Sequence, residues 1–408
     1  MKKKFKKKPM ISLMETTDFA IVGGGILGLT IALEIRTKFP KSQITIFEKE
    51  SDVAQHASGR NSGVLHAGFY YTSDSLKAKL TVIGNQRMKA FCKDHGLPIN
   101  ACQKLVVAKT SEELQTLKML YQRGLDNGVI VHLISESEAK AIEPTIKTTK
   151  QALLSPTTAT VDPLAVCQKL KSIVKDRNIT LHLGEKVSTV KAGVISTSKR
   201  HLSFGHLINA AGLYADKIAR QCGAGHDYVL IPFKGIYLKS THPLNRCHIY
   251  PVPNLQHPFL GVHYTQTVTG ETKIGPTAMP AFWRENYNGM ANFNITEFAN
   301  ILLWESRLWI KNKSNFRALV ASEFKKYWTP NLLREAGKLG SLGPQSFERS
   351  RPGIRAQLIH KKTYELEMDF VVERSSKATH ILNAVSPGFT CAFSFASYIV
   401  DDMLKQPE

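Results

Sequence analysis

The feature that most constrains this chain is a short one. The apolar run Asp18-Phe-Ala-Ile-Val22 ends directly in Gly23-Gly24-Gly25-Ile26-Leu27-Gly28, which fits the pattern G-x-G-x-x-G. Residues 26–37 then read as a helix, and residues 43–47 as a second β-branched run with an acid, Glu48, after it. Strand, glycine turn, helix, strand and acid make a complete βαβ unit. Gly23 permits the tight turn, Gly25 lets the backbone approach a pyrophosphate, and Gly28 lets the helix pack close to the strand. The helix start offers N–H groups and a positive dipole end to phosphate oxygens. Glu48, twenty residues after Gly28, can accept hydrogen bonds from ribose hydroxyls. The pattern predicts a bound dinucleotide. It does not distinguish FAD from NAD.

Further along, residues 74–95 read as an amphipathic helix with Asp74 as its N-cap. Residues 105–108 read as a short strand, and 111–128 as a helix with a Ser-x-Glu-Glu start and a glycine stop. Asp162-Pro163 opens another helix, where proline suits the first turn. Residues 179–183, 187–190 and 206–209 read as strands. From residue 229 to 275 short strands alternate with Pro and Gly, as in an antiparallel sheet. Residues 295–337 read as basic helices carrying Trp304, Trp309, Phe316, Phe324 and Trp328. A Gly/Pro-rich turn at 340–352, two short strands and a helix over 390–404 close the chain.

At 408 residues the chain is expected to form about two or three lobes. Its 43% hydrophobic and 21% charged residues are those of a globular protein, not a disordered one. No apolar run approaches the ~18–20 residues needed to span a bilayer, and no long apolar stretch follows the basic N-terminus as a secretory signal would require. Cys92, Cys102, Cys167, Cys222, Cys247 and Cys391 show neither CxxC nor metal-ligand spacing, so reduced thiols in a cytoplasmic protein and no metal site are expected. The net charge is +21. Six of the first eight residues are lysine, and subtracting them leaves +15. Such a surface attracts nucleic acid, anionic lipid or a polycarboxylate. There is no RNP motif, zinc-finger spacing or basic zipper, so nucleic acid is not an expected partner. The lysine block at 2–8 reads as a disordered arm suited to weak headgroup contact, with Met10 and Met14 as alternative starts just before the first strand.

The choice between FAD and NAD turns on the next segment. Asn61-Ser-Gly-Val-Leu-His-Ala-Gly-Phe-Tyr-Tyr71, then Ser75-Leu-Lys-Ala-Lys79, resembles the L-2-hydroxyglutarate dehydrogenase/oxidase family within the D-amino-acid-oxidase superfamily of FAD enzymes. Cys102-Gln-Lys-Leu105, Pro232-Phe-Lys-Gly235 with Tyr237, His248-Ile-Tyr-Pro-Val-Pro253, Phe259-Leu-Gly-Val-His263, Ile274-Gly-Pro276, Gly353-Ile-Arg-Ala-Gln357 and Asn383-Ala-Val-Ser-Pro387 follow in the family's order. The resemblance covers nearly the whole chain after Asp18. Three positions depart from it. Gln103 replaces a usual Gly, Arg60 stands where many members have His, and Asp162-Pro163-Leu164 replaces a D/N-Y-R run, which removes one further candidate carboxylate-binding arginine.

The resemblance implies a Rossmann-type α/β FAD domain and a substrate domain of antiparallel sheet plus helices. The expected division is a basic arm at 1–17, FAD domain at 18–95, 151–228 and 346–408, and substrate domain at 96–150 and 229–345. It implies FAD contacts at Gly23, Gly25, Gly28, Glu48, Lys49, Asn61, Ser62 and Gly63, at Val187 on the adenine side, and at Gly212, Ser386, Gly388, Phe389 and Thr390 beside the flavin. Arg355 is the expected carboxylate ligand, because its fork of donors suits bidentate binding. Oxidising an alcohol needs a base for the hydroxyl proton, and histidine is the natural one near neutral pH. Of fourteen histidines, His66, in the loop expected near the flavin, and His263, expected to end a strand, are the candidates. Lys234, Tyr237, Tyr250 and Lys104 are candidates for a distal carboxylate.

The expected reaction is oxidation of L-2-hydroxyglutarate or a close 2-hydroxy acid, with electrons passing to a membrane quinone or to oxygen. The expected location is cytoplasmic, with peripheral attachment to the inner face of the membrane through the basic aromatic helices. An amine or amino-acid oxidase is the alternative. A basic membrane- or nucleic-acid-binding protein with a structural flavin is a more remote one.

Overall fold

The computed structural model describes residues 14–240, 242–255, 259–342 and 346–405. The lysine block and Met10 lie outside them. Strand Glu15–Val22 is central in the first sheet, so Glu15, Thr16 and Thr17, expected in the arm, belong to the fold. Helix Ile26–Lys38 crosses over to strand Ile44–Phe47, which lies parallel beside it. Helix Pro163–Asp176 delivers strand Thr180–His182 parallel to Ile44–Phe47, and His201–Asn209 runs parallel along the other flank of the central strand. Parallel neighbours need crossovers, and the crossover helices cover the sheet. Ile31 and Ile35 of the first helix, Leu170 and Val174 of the second, and Phe395 and Ile399 of the last helix, Ala392–Met403, close one core over Ile21 and Ile46. Each such side chain contributes about 1.5–3 kcal/mol by leaving water.

The second large sheet runs in the order 348–349, 238–240, 272–275, 263–266, 248–251, 104–107, 151–155, 132–135. Its joins among the described residues are antiparallel, as expected, except one: Lys104–Val107 lies parallel to His248–Pro251. Those strands come from separate visits of the chain to this sheet, so no hairpin sets their relative direction. A smaller sheet pairs Tyr228–Gly235 with Gly353–His360 and places Arg355 opposite Phe233.

Other local differences have local causes. The helix expected from residue 74 is Leu76–Asp94, and its cap is Ser75, whose Oγ accepts from the Ala78 N–H at 3.1 Å. The strand expected at 187–190 is Thr189–Lys191, with Val187 ahead of it. After residue 352 there are three strands, not two: Gly353–His360, Val371–Ser375 and Ala378–Asn383. All six cysteines are free. Gln103, which stands at the family's glycine, has φ +60°, a left-handed conformation that costs a non-glycine residue roughly 1–2 kcal/mol.

Candidate active site

A cleft of about 1090 Å³ is lined by residues of both large sheets and the small one. That size lies at the top of the usual ligand-pocket range of about 300–1,000 Å³. One part of its wall is the glycine turn. Gly23 has φ +115°, and a Cβ there would lie 2.3 Å from the Ala210 carbonyl oxygen. A Cβ on Gly28 would lie 1.9 Å from the Gly23 carbonyl oxygen, so any side chain pushes the helix off the strand. Gly25, Ile26 and Leu27 bring the helix start to the cleft, and no acid in the first turn opposes its dipole. Glu48 is held at the end of its strand: Oε2 accepts from the Gly24 N–H at 2.7 Å and Oε1 from the Glu50 N–H at 2.9 Å. The following loop folds over the helix start, where Ser58 Oγ accepts from the Ile26 N–H at 3.0 Å. Asn61 braces that loop by accepting from the Gly63 N–H at 2.8 Å. Lys49 is ion-paired with Glu50 and with Glu285, the latter at 2.7 Å. The bare glycine backbone at the helix start and the fixed carboxylate fit a dinucleotide.

Glu48, Lys49, Asn61, Ser62, Val187, Gly212, Ser386, Gly388, Phe389 and Thr390 line the cleft with Gly23 and Gly25. Gly28 and Gly63 stand behind the wall, as packing and turn residues. His66, Tyr237, Tyr250, His263 and Arg355 also line it. Lys234 does not: Phe233 and Gly235, its neighbours on the strand, face the cleft instead. Lys104 is fully buried and stands behind Tyr250, its ammonium 4.1 Å from the ring centroid, and burial pulls it down to about 7.

The two candidate histidines differ in how they are held. His263 begins strand His263–Gln266 and does not end one. Its ring stacks on Tyr250 at 3.7 Å between centroids and 15° between planes. Its Nδ1 donates to the Gly261 carbonyl at 2.8 Å, which leaves Nε2 with the lone pair. Burial, partly offset by that hydrogen bond, pulls its pKa to about 3. His66 is fixed through its backbone, whose N–H donates to Thr390 Oγ1 at 3.1 Å and whose carbonyl accepts from Asn85 Nδ2 at 3.1 Å. Its Nε2 is 3.4 Å from Ser386 Oγ, and its Nδ1 has no hydrogen-bond partner among the described residues. Burial first, then the charges of Lys104, His263, His248 and Arg355, holds it well below the usual imidazole range. A third buried histidine, His248, is structural: it accepts from the Gln266 N–H and sits 3.0 Å from Thr160 Oγ1.

Arg355 lies over the Phe259 ring, 4.9 Å from its centroid, and burial lowers its pKa from the ordinary arginine value. The absent arginine of the D/N-Y-R run does not affect this region. Leu164 is 42% exposed and outside the cleft, and Asp162 caps its helix by accepting from Leu164 and Ala165. Among the cleft residues to which the sequence assigned no role is a buried cation. Lys77, in the Ser-Leu-Lys-Ala-Lys run, lines the cleft while only 3% exposed. The available signal was its place on the apolar stripe of its helix, in register with Thr81, Gly84 and Met88.

A parallel-sheet nucleotide fold with a large cleft walled by a second sheet is the frame of a dinucleotide-dependent enzyme, and residues 18–401 match the family model described as FAD dependent oxidoreductase. The chain is similar along its length to an L-2-hydroxyglutarate dehydrogenase of Indibacter alkaliphilus, 35% identical over 401 residues that cover 95% of this chain and 98% of the relative. A mitochondrial L-2-hydroxyglutarate dehydrogenase of Homo sapiens is 30% identical, covering 96% and 89%. The chain belongs to the L-2-hydroxyglutarate dehydrogenase family of FAD-dependent oxidoreductases. In fold it is similar to the FAD-bound L-α-glycerophosphate oxidase of Mycoplasma pneumoniae, with a TM-score of 0.73, 22% identity and 96% of each chain covered. Its cofactor is FAD.

Proposed function

We propose that this enzyme oxidises L-2-hydroxyglutarate, or a close 2-hydroxy acid, to the 2-oxo acid. The observation that carries the reading is the sharing of one buried region of the cleft by Arg355 and His263, whose Nε2 lone pair is fixed. It is supported by the substrate in the names of the relatives. FAD, held by Glu48, the glycine turn and the loop at Asn61, would supply the two-electron acceptor for the α-hydrogen. Arg355 binds the carboxylate next to the reacting carbon. His263 Nε2 takes the hydroxyl proton, and its Nδ1–H bond to Gly261 keeps the ring aimed. His66 and Ser386 orient the hydroxyl, and buried, neutral Tyr237 and Tyr250 close the pocket against water. Glu48, Gly23, Gly25 and the loop at Asn61 hold the dinucleotide.

The test is anaerobic mixing of the yellow protein with a panel of acids. L-2-hydroxyglutarate is expected to bleach the flavin absorbance, and glycine, sarcosine and proline to leave it oxidised. Bleaching by the amino acids alone would replace this reading with amine oxidation.

The electrons are proposed to leave at a membrane surface, to a quinone. No helix among the described residues is long and apolar enough to cross a membrane. Helices Ile295–Lys311 and Phe316–Lys325, and Trp328, the cap of helix Thr329–Ala336, instead expose large apolar side chains, including Ile310 at 69% and Trp328 at 62%, beside exposed Lys311, Arg317 and Lys325. An apolar patch rimmed by cations suits an anionic bilayer surface. Co-sedimentation with anionic vesicles is expected, weakened by salt and by the combined Trp309→Ser, Ile310→Ser and Trp328→Ser changes. Equal recovery in the supernatant with and without vesicles would remove this part of the proposal.

A further inference from the structure

We infer that Lys77 anchors the second carboxylate of the substrate, forming with Arg355 a two-cation clamp that selects dicarboxylates over monocarboxylates. This rests on the 2-hydroxy-dicarboxylate reading above and deepens it.

Lysine is almost never buried without a partner. Lys77 is buried because helix Leu76–Asp94 turns it onto the same stripe as Ala78, Thr81, Gly84, Asn85, Met88 and Cys92, which packs inward. The side chain nevertheless reaches the cleft wall. Among the described residues no hydrogen bond or ion pair holds its ammonium, and the ring faces of Tyr71 and Phe370 are 5.8 and 5.7 Å away. Asp369 is the acid whose charge acts on it, but that carboxylate is committed elsewhere. Its oxygens accept from the backbone N–H groups of Leu76 at 2.7 Å, Lys77 at 3.0 Å and Phe370 at 2.8 Å. A largely buried ammonium that opens on the cleft, beside an acid already taken up by three backbone N–H groups, is placed to receive an anion from the cleft.

That anion must also suit Arg355, whose charge reaches Lys77 and opposes it. Two like charges walling one pocket repel each other when it is empty, and one dianion neutralises both. A substrate with a single carboxylate would engage Arg355 and leave Lys77 with the charge of Asp369 alone. Lys104 and Lys234, the other lysines considered for this role, do not line the cleft. Burial pulls Lys77 down to about 8, with Asp369 opposing and Arg355 adding to the fall. Its other neighbours, Cys391 and Tyr71, are pushed up by burial, Cys391 to about 12, and stay neutral. The ammonium is therefore charged below pH 8 and loses its charge above it. A bound carboxylate favours the charged form.

The experiment measures binding, not turnover. Dissociation constants of glutarate and butyrate are read from the perturbation of flavin absorbance in the holoenzyme. Lys77→Gln is expected to weaken glutarate about 10- to 100-fold and to leave butyrate within about threefold, with Lys77→Arg retaining part of the preference. In the wild-type protein the preference for glutarate is expected to fall as pH rises past 8. Equal weakening of both ligands by Lys77→Gln, or a wild-type preference that is flat across pH 7–9, overturns the assignment. Failure of L-2-hydroxyglutarate to bleach the wild-type flavin would instead count against the substrate reading and leaves these binding ratios measurable.

Discussion

Arg355→Met is expected to lower kcat/KM for L-2-hydroxyglutarate by about 10²–10³-fold, most of it through KM, while the protein stays yellow. Truncating one partner of a buried, hydrogen-bonded charge pair costs about 2–5 kcal/mol, and much of that is the carboxylate left desolvated without its cation. Arg355 sits on strand Gly353–His360 opposite Phe233, in a different sheet from the strands that carry the glycine turn and Glu48, so the dinucleotide grip there is left intact. Arg355→Lys should recover only part of the loss, because an ammonium cannot offer the planar fork that grips both carboxylate oxygens. Steady-state rates with an artificial electron acceptor, alongside flavin content from the absorbance spectrum, check this. An unchanged KM would remove Arg355 from substrate binding.

His263→Asn is expected to slow flavin reduction about 10²–10⁴-fold, the range for a lost general base, and to leave glutarate binding within a few-fold. His66→Asn should cost far less, because among the described residues Nδ1 of His66 has no partner to fix a tautomer and its Nε2 contact to Ser386 is long, at 3.4 Å. Rapid mixing under anaerobic conditions separates the two, and the reverse order of effects would make His66 the base. The pH dependence follows from the sign of the shift. A histidine lowered to about 3, chiefly by burial, is neutral and able to accept a proton well below pH 6, where an ordinary imidazole is already charged. The acid limb of kcat/KM, which reports the free enzyme, is therefore expected below pH 6 and not near 6.5.

The dinucleotide half of this enzyme is legible in its sequence because every requirement there is local. Gly23 must take φ +115°, Gly28 must admit a carbonyl oxygen, and Glu48 must end the adjacent strand. Each is met by residues a fixed distance apart on a strand–turn–helix–strand path. The departures from the family pattern are readable in the same way once the backbone is known: Gln103 carries a glycine's conformation, and Leu164 points to solvent.

The substrate half depends on distance in space. Fourteen histidines are chemically alike along the chain. Only the Gly261 carbonyl, the Tyr250 ring and the exclusion of water single out one nitrogen of His263. Strand alternation keeps Lys234 off the wall that Phe233 and Gly235 form. Lys77, an unremarked residue in a helical run, becomes a buried cation only when residues nearly three hundred positions apart, Leu76 and Asp369, are brought together. Local spacing, set by backbone geometry, determined that a dinucleotide binds here. Burial, which fixes the charge and the free lone pair of each group, was decided by tertiary packing alone.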